Sequence, residues 1–257
     1  MYKIISFDID GTLYSYSREN FGISNSTLQM LKTLSRSYIL VLNSGRAFED
    51  IPQSIQKYFT YFIMNNGSAV YDRFENLIWS KPIPKVQIES MINQLSQQNK
   101  NFILKTLRNT HFYCVDGHMP DYMRLNNEVN YKLEKLDTNR TDVYCVNTVL
   151  SREELREFQQ VYPDLEFTHG GFNYYEIYVQ KTNKWKALEY VLMKNQIHAS
   201  ECMAFGDSMN DFEILNHVGL GVAMKDGSQE LLDRIFVVCD SIDENGIQKF
   251  LEEKNLM

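Results

Sequence analysis

The 257-residue sequence predicts an α/β protein, in which a doubly wound parallel sheet is interrupted by an inserted α+β domain. Two observations lead to this prediction. Short, almost wholly apolar runs alternate with helical patterns near both ends of the chain, as expected for parallel strands buried on both faces. In the middle of the chain the runs change to alternating polarity, which is typical of an antiparallel sheet packed against helices.

The first part of the chain contains three apolar, β-prone runs, at residues 3–7, 38–42 and 61–64. Between the first two runs, leucines recur at helical spacing behind residues 24–26, any of which can cap a helix. Two shorter runs after residue 67 flank polar turn-forming residues, as the strands of a hairpin would. These elements predict the first half of a doubly wound sheet.

The middle of the chain is predicted to contain two helices and a mostly antiparallel sheet. One helix follows Pro82 and Pro84, and the other follows Ser151 and Glu154, which have the spacing of a capping box. The predicted strands of this region are residues 102–107, 111–115, 143–149 and 174–179.

Beyond Asn183 the alternation of helix and apolar run returns, with a strand predicted at residues 202–205. An insertion between two parts of one doubly wound domain is the simplest explanation, because insertions are tolerated at surface loops. The predicted domains are the core at 1–82, the insertion at 83–182 and the rest of the core at 183–257.

Composition and charge exclude several classes of protein. The sequence is 44% hydrophobic and 23% charged, as in ordinary folded domains. Its net charge of -7 disfavours general attraction to nucleic acid or anionic membranes. The sequence has neither signal-peptide features nor a run of ~20 apolar residues, and its cysteines lack metal-binding spacing. We therefore expect a cytoplasmic protein without a nucleic-acid or membrane partner, either monomeric or homodimeric.

Two aspartates directly follow the first predicted strand, in the segment Asp8-Ile9-Asp10-Gly11-Thr12. In an extended chain, side chains two positions apart point to the same side, and parallel sheets bind ligands at the carboxyl ends of their strands. One carboxylate is a suitable nucleophile toward phosphorus, and the other is a suitable general acid and base. The alternative is an Asx-type turn before the glycine.

A second pair of carboxylates follows the strand predicted at residues 202–205. Asp207 and Asp211 lie in the segment Gly206-Asp207-Ser208-Met209-Asn210-Asp211, which opens a predicted helix. Magnesium prefers hard oxygen ligands, so aspartates from neighbouring strand ends would form a suitable site. On its own, the segment is also compatible with a helix-capping turn.

Six short motifs occur in order along the chain, at residues 8–12, 44–46, 66–67, 206–211, 221–224 and 243–247. Together they resemble the motifs of the haloacid dehalogenase (HAD) superfamily, and within it the Cof-like phosphatases with a type IIB cap. The resemblance implies a Rossmann-like core with an inserted α+β (C2B) cap. It also implies that Asp8 is the nucleophile and Asp10 the acid and base. Mg²⁺ is then expected on the carboxylates of Asp8 and Asp207 and the backbone carbonyl of Asp10, with Asp211 supporting.

The resemblance further implies groups that bind the phosphoryl oxygens. The hydroxyl of Ser44 is expected to do so, although Ser44 is also suited to cap a helix. A lysine is expected to neutralise the same oxygens. Lys184 best matches its position, but Trp185 replaces a glycine that is common there, so Lys181 and Lys186 remain alternatives.

Other residues are expected to line the site, although their sequence signals are less distinctive. Gly45 and Asn210 are predicted to contact phosphate, and Arg46 and Asn66 are predicted to contact substrate. The alternatives are a structural salt bridge for Arg46, an Asn-Gly turn for Asn66 and a helix cap for Asn210. His169 is a further residue that is considered to face the substrate, with a filler role as its alternative.

The predicted function is Mg²⁺-dependent hydrolysis of a small phosphorylated metabolite through an aspartyl-phosphate intermediate. A sugar phosphate, a nucleotide and a cofactor phosphate are all compatible with the motifs. Two alternatives stay open: a phosphomutase on the same core, and a sensor that binds a phosphometabolite without turnover. In all three, the inserted domain would determine which substrate is bound, and one sequence provides no code for that choice.

Overall fold

The computed structural model describes residues 1–114, 142–169 and 173–257, which divide into two compact units. The first unit comprises Met1–Gly45, Ile51–Trp79 and Asn183–Met257. The second comprises Arg46–Asp50 and the described part of Ser80–Thr182. The domain bounds expected from the sequence place residues 46–50 and 80–82 in the core, whereas the contacts group both segments with the second unit.

The first unit contains an eight-stranded sheet in the order β13-β12-β11-β1-β2-β3-β4-β5 among the described residues. The pairs from β13 through β3 are parallel, and β4 runs antiparallel to β3. The strands are β1 (Ile4–Phe7), β2 (Ile39–Asn43), β3 (Tyr61–Met64), β4 (Ala69–Asp72), β5 (Leu77–Ser80), β11 (Cys202–Gly206), β12 (Leu220–Met224) and β13 (Val238–Cys239).

Helices connect the parallel strands, and their start signals are visible in the sequence. The helices of this unit are α1 (Asn25–Leu34), α2 (Gln53–Gln56), α5 (Lys184–Lys194), α6 (Phe212–His217), α7 (Gln229–Leu232) and α8 (Gly246–Glu253). Ser24 caps α1 by accepting the N–H of Thr27, and Asn183 caps α5 by accepting the N–H of Lys186. The apolar side of α5, including Leu188, packs in the core against the sheet.

The register of the central strands brings three strand ends together. Phe7 of β1 lies opposite Leu42 of β2 on one side and Phe205 of β11 on the other. Because all three strands are parallel, the residues that follow them meet at one edge of the sheet. This edge carries Asp8, the segment after Asn43 and the segment after Gly206.

The second unit contains a five-stranded sheet in the order β7-β6-β8-β10-β9, and neighbouring strands are antiparallel within the described residues. Its strands are β6 (Phe102–Thr106), β7 (Thr110–Tyr113), β8 (Val143–Val149), β9 (Leu165–His169) and β10 (Tyr174–Val179). The helices α3 (Lys85–Gln97) and α4 (Arg152–Val161) contribute Ile88 and Phe158 to a core shared with the sheet.

The structure confirms the predicted fold class, a parallel α/β core and a separate antiparallel sheet with helices. The capping box of Ser151 and Glu154 is present at the start of α4. The edge strand β9, in which one of five residues is buried, was not predicted, and the end of the predicted strand 111–115 lies outside the described residues. Among the described helices, none combines the length and apolar character that crossing a membrane requires.

Candidate active site

Asp8 lies at the centre of the sheet edge, directly after β1. Its side chain is buried, with 5% of the residue exposed, and its backbone N–H continues the ladder by donating to the carbonyl of Phe205 at 3.1 Å. The strand therefore fixes the backbone of Asp8 on the side of β11. A buried carboxylate at this position needs positively charged partners, because burial disfavours its ionised form.

Lys184 supplies one such partner. Its Nζ donates to Oδ1 of Asp8 at 2.6 Å and to Oδ1 of Asp211 at 2.7 Å, and only 1% of the residue is exposed. The alternatives lie elsewhere: Lys181 is exposed, and Lys186 pairs with Glu189 on the surface of α5. Of these three lysines, Lys184 is the one whose ammonium group contacts Asp8 in the structure.

Two close backbone approaches explain how Lys184 and Asp207 are placed. A Cβ on Gly67, whose φ is +93°, would lie 2.2 Å from the carbonyl oxygen of Asn183, so the turn after β3 packs directly on the start of α5. A Cβ on Gly11, whose φ is +79°, would lie 2.4 Å from Oδ2 of Asp207. Glycine is required at both positions, because a side chain would displace the neighbouring group.

Asp211 organises the segment that follows β11. Its Oδ2 accepts the backbone N–H groups of Asp207 and Ser208 at 3.2 and 3.3 Å, while its Oδ1 accepts from Lys184. The carboxylate therefore fixes both the loop that presents Asp207 and the ammonium group that contacts Asp8. This arrangement agrees with a supporting position for Asp211.

Asn210 and Asn66 connect this segment to the turn after β3. Oδ1 of Asn210 accepts from Lys184 Nζ at 3.2 Å, and its Nδ2 donates to Oδ1 of Asn66 at 3.3 Å. Asn66 has a φ of 54°, so it forms a turn and also faces the site. The N-cap of α6 is Asp211, so Asn210 does not cap that helix.

Ser44 and Gly45 follow β2 at the same edge. Ser44 is fully buried, and its backbone N–H donates to the carbonyl of Ile63 at 2.8 Å. Its carbonyl accepts the N–H of Asn66 at 3.1 Å. A Cβ on Gly45 would lie 3.0 Å from Oδ1 of Asn66, so the two segments are in close contact. Pro52 occupies the N-cap position of the next helix, α2, and Ser44 therefore does not cap it.

The negative charge of the site's aspartates exceeds the positive charge of Lys184. Burial, together with the carboxylates of Asp211, Asp207 and Asp10, raises the pKa of Asp8 well above its ordinary value despite the opposing effect of Lys184. Burial and Asp211 likewise raise the pKa of Asp207 to about 8. Burial lowers the pKa of Lys184, but Asp211 and Asp8 raise it more, so the ammonium keeps its proton. The ammonium group of Lys184 thus compensates only part of the negative charge of these carboxylates.

The same carboxylates fit a divalent cation. Asp8, Asp207 and Asp211 each offer a carboxylate oxygen, and these oxygens lie within 4.8 Å of one another. All are hard oxygen donors of the kind that Mg²⁺ prefers, and the raised pKa values of Asp8 and Asp207 show that additional positive charge would be stabilising. The donor set therefore fits Mg²⁺.

Asp10 has a partner that the sequence analysis missed. The half-buried carboxylate accepts a hydrogen bond from the hydroxyl of Tyr16 at its Oδ1. The chain turns sharply after Asp10, since the N–H groups of Leu13 and Tyr14 both donate to the carbonyl of Ile9 at 2.8 and 2.7 Å. Only this turn brings residue 16 back to residue 10, and no periodicity in the sequence indicates it.

Arg46 and His169 belong to the second unit. The guanidinium of Arg46 donates to the backbone carbonyl of Asp50 at 2.8 Å, within the segment that groups with this unit. His169 is exposed at the end of β9, with its ring 5.3 Å from that of Tyr175. Neither contact is with a residue of the site described above.

The chain is similar to a known family and to curated proteins along almost its whole length. Residues 5–251 match the model of a family described as haloacid dehalogenase-like hydrolase. A curated relative, the HMP-PP phosphatase of Yersinia enterocolitica, is 24% identical over 269 residues, covering 98% of this chain and 95% of that protein.

Two solved structures are similar in fold. The HAD subclass IIB sugar phosphatase BT4131 has a TM-score of 0.83 at 22% identity, covering 99% of this chain and 100% of that chain. The HAD phosphatase BT1666 from Bacteroides thetaiotaomicron has a TM-score of 0.85 at 22% identity, covering 100% of this chain and 96% of that chain.

Proposed function

This chain belongs to the haloacid dehalogenase-like hydrolases, and we propose that it is a Mg²⁺-dependent phosphatase that hydrolyses a small phosphorylated metabolite through an aspartyl-phosphate on Asp8. The family match confirms the family predicted from the motifs and the prediction of a hydrolase. The names of its relatives, an HMP-PP phosphatase and a sugar phosphatase, support phosphate release from a small substrate.

The observation that carries the proposal is the buried contact between Lys184 and two carboxylates. Nζ of Lys184 lies 2.6 Å from Oδ1 of Asp8, so the lysine fixes the orientation of the nucleophile. Its raised pKa keeps it positively charged, so it also neutralises phosphoryl oxygens that approach Asp8. A lysine that merely stabilised the fold would be equally well satisfied on the surface of α5, as Lys186 is.

The reaction is assigned to two aspartates. An oxygen of Asp8 attacks phosphorus, and the bond from phosphorus to the leaving oxygen breaks as that oxygen takes a proton from Asp10. Asp10 then accepts a proton from water as the water attacks the phosphorus of the aspartyl-phosphate, and the bond from phosphorus to the Asp8 oxygen breaks. The products are the free alcohol and inorganic phosphate, and both aspartates are regenerated. Ser44 and Asn210, at the same strand edge, are proposed to contact the phosphoryl oxygens.

The metal is assigned to the carboxylates of Asp8 and Asp207 and the backbone carbonyl of Asp10. Asp211 is assigned a supporting role, because both of its carboxylate oxygens already accept hydrogen bonds. When bound, Mg²⁺ would supply positive charge that stabilises the phosphoryl oxygens and offsets the repulsion among the carboxylates. The protein residues orient the nucleophile, the proton donor and the ammonium group.

The substrate is proposed at the level of a class. Sugar phosphates, nucleotides and cofactor phosphates are all small phosphorylated metabolites, and the relatives named above act on two different substrates of this kind. Arg46 and Asn66 remain proposed substrate contacts. The cytoplasm remains the proposed location, and it would give the enzyme access to such metabolites.

The test is phosphate release from p-nitrophenyl phosphate and from a panel of phosphometabolites that includes HMP-PP and sugar phosphates. We expect release with Mg²⁺, loss of release with a chelator, and a loss of at least ~10³-fold in kcat for Asp8→Asn. Asp233→Asn, which alters an exposed aspartate of the same unit, is the matched control. Full activity of Asp8→Asn, or of the chelated enzyme, would exclude the proposed mechanism.

The same panel separates the two alternatives. A phosphomutase would convert a sugar phosphate into its isomer with little free phosphate, which product analysis detects. A sensor would bind a phosphometabolite without releasing phosphate. In that case neither the wild type nor Asp8→Asn would show turnover.

A further inference from the structure

Tyr16 lies in the segment that leaves the active-site edge after β1. The residue is 43% exposed, while its hydroxyl donates to Oδ1 of Asp10. No motif in the sequence pointed to Tyr16. Its partner, however, is the residue to which proton transfer is assigned, so the contact bears directly on the chemistry.

The ring of Tyr16 is fixed by two aromatic neighbours. Its centroid lies 5.1 Å from that of Tyr14, which is 1% exposed, and 6.2 Å from that of Phe21. Tyr14 and Phe21 also pack edge to face, with centroids 5.6 Å apart. Offset and edge-to-face pairs of this kind are favourable, so the three rings restrict the directions in which the hydroxyl can point.

The segment that carries Tyr16 is itself anchored to the core. Ser15 and Gly22 exchange two backbone hydrogen bonds of 2.9 Å, which close a small hairpin. The hydroxyl of Ser15 donates to Oδ1 of Asp243 at 2.7 Å. Hydrogen bonds from Ser15, Ser17 and Asn20 lower the pKa of Asp243, so an ionised carboxylate binds the hairpin at several points. Tyr16 is therefore presented by a braced segment.

We propose that Tyr16 is a positioning residue for Asp10. The Tyr16 hydroxyl fixes the Asp10 carboxyl group in the orientation from which that group protonates the leaving oxygen. The inference rests on the proposed function, in which Asp10 is the acid and base. An aspartate side chain has two rotatable bonds, and proton transfer requires the donor within about 2.6–3.2 Å of the accepting oxygen. A hydrogen bond from the hydroxyl of a ring that is held in place restricts the Asp10 side chain to one orientation.

Such a role predicts a dependence on the leaving group. A p-nitrophenolate ion is stable enough to leave with little protonation, whereas a phenolate ion without the nitro group depends more on the acid. A defect in the position of Asp10 therefore slows departure of the leaving group more from phenyl phosphate than from p-nitrophenyl phosphate. A general loss of structure slows both substrates alike, because both place the same phosphoryl group on Asp8.

The experiment compares kcat/KM of wild type and Tyr16→Phe on these two substrates with Mg²⁺ present. This ratio reports the steps up to departure of the leaving group and excludes the later hydrolysis of the aspartyl-phosphate, which both substrates share. The substitution removes the hydroxyl and keeps the ring contacts with Tyr14 and Phe21. We expect kcat/KM for phenyl phosphate to fall about 10-fold, part of the ~10²–10⁴ that a general acid contributes, and kcat/KM for p-nitrophenyl phosphate to fall less than about 2-fold.

Two further variants sharpen the test. Tyr38→Phe removes a hydroxyl that donates to the carbonyl of Leu256 at 3.0 Å, away from the site, and should leave both rates unchanged. In an Asp10→Asn background the acid is absent, so adding Tyr16→Phe should produce no further discrimination between the two substrates.

Equal loss of kcat/KM on both substrates, no loss on either, or further discrimination when Tyr16→Phe is added to Asp10→Asn would each overturn the inference. Failure of the proposed function has a different signature: wild-type protein would release no phosphate from either substrate, or Asp8→Asn would retain activity. A folding defect in Tyr16→Phe would appear as a lower melting temperature and as equal loss on both substrates.

Discussion

Replacing Lys184 by methionine tests both the electrostatics of the site and the proposed mechanism. The ammonium group is 1% exposed and contacts carboxylates of Asp8 and Asp211 that are 6% and 3% exposed. Removal of one partner from a buried ion pair typically costs about 3–5 kcal/mol, because the other charge is left without compensation. We therefore expect the unfolding free energy to fall by about that amount in metal-free solution near neutral pH.

The effect on catalysis is separate from the effect on stability. The lysine is assigned to stabilise negative charge on the phosphoryl oxygens, and loss of one such contact typically lowers kcat by about 10²–10³-fold. The measurements are chemical denaturation with and without Mg²⁺ and kcat on p-nitrophenyl phosphate. Mg²⁺ should restore part of the lost stability, because it supplies positive charge to the same carboxylates.

Lys186 provides the matched control within the same helix. Its Nζ pairs with Glu189 at 2.9 Å, but both side chains are more than 40% exposed, and exposed pairs contribute about 0–1 kcal/mol. Lys186→Met should therefore leave kcat and stability nearly unchanged. If Lys184→Met behaves like Lys186→Met in both assays, the assignment of Lys184 to the nucleophile and the phosphoryl group is refuted.

Two other predictions concern the neighbouring carboxylates. The raised folded-state pKa of Asp207 means that the folded protein binds its proton more tightly than the unfolded chain, so metal-free stability should fall as pH rises from 3.8 to about 8. Denaturation at several pH values checks this, and a decline that is as steep in Asp207→Asn as in wild type would contradict it. Gly11→Ala should lower kcat at least ~10-fold, because its Cβ would lie 2.4 Å from Oδ2 of Asp207 at a φ of +79°. Kinetics with saturating Mg²⁺ measure this effect, and an unchanged kcat would show that Asp207 can move without consequence.

The parts of the site that local sequence patterns could predict are those at strand ends. Asp8 and Asp207 each follow a short apolar run, and buried parallel strands leave this pattern because both of their faces are covered. The start of α5 could also be predicted, since Asn183 is a favourable N-cap. The fold class follows from the same signals.

The choice among the lysines depended on three-dimensional contacts. Lys181, Lys184 and Lys186 are close in the sequence, and the folded structure distinguishes Lys184 as the buried lysine that contacts Asp8. The hairpin that carries Tyr16 was not predicted, because its contact with Asp243 joins residues that are 228 positions apart. The edge strand β9 was not predicted, because only two of its five residues are large and apolar and only one is buried.

The central position of β1 has a consequence for the synthesis of the protein. One edge of β1 pairs with β2, which the ribosome produces soon afterwards, whereas the other edge pairs with β11 at residues 202–206. We expect the second edge to stay open until the whole intervening unit has been made, and unpaired strand edges are sites of aggregation. Formation of the buried ion pair is delayed in the same way, because Asp8 is synthesised 176 positions before Lys184. A chain released before residue 184 would carry Asp8, the proposed nucleophile, without its buried partner Lys184.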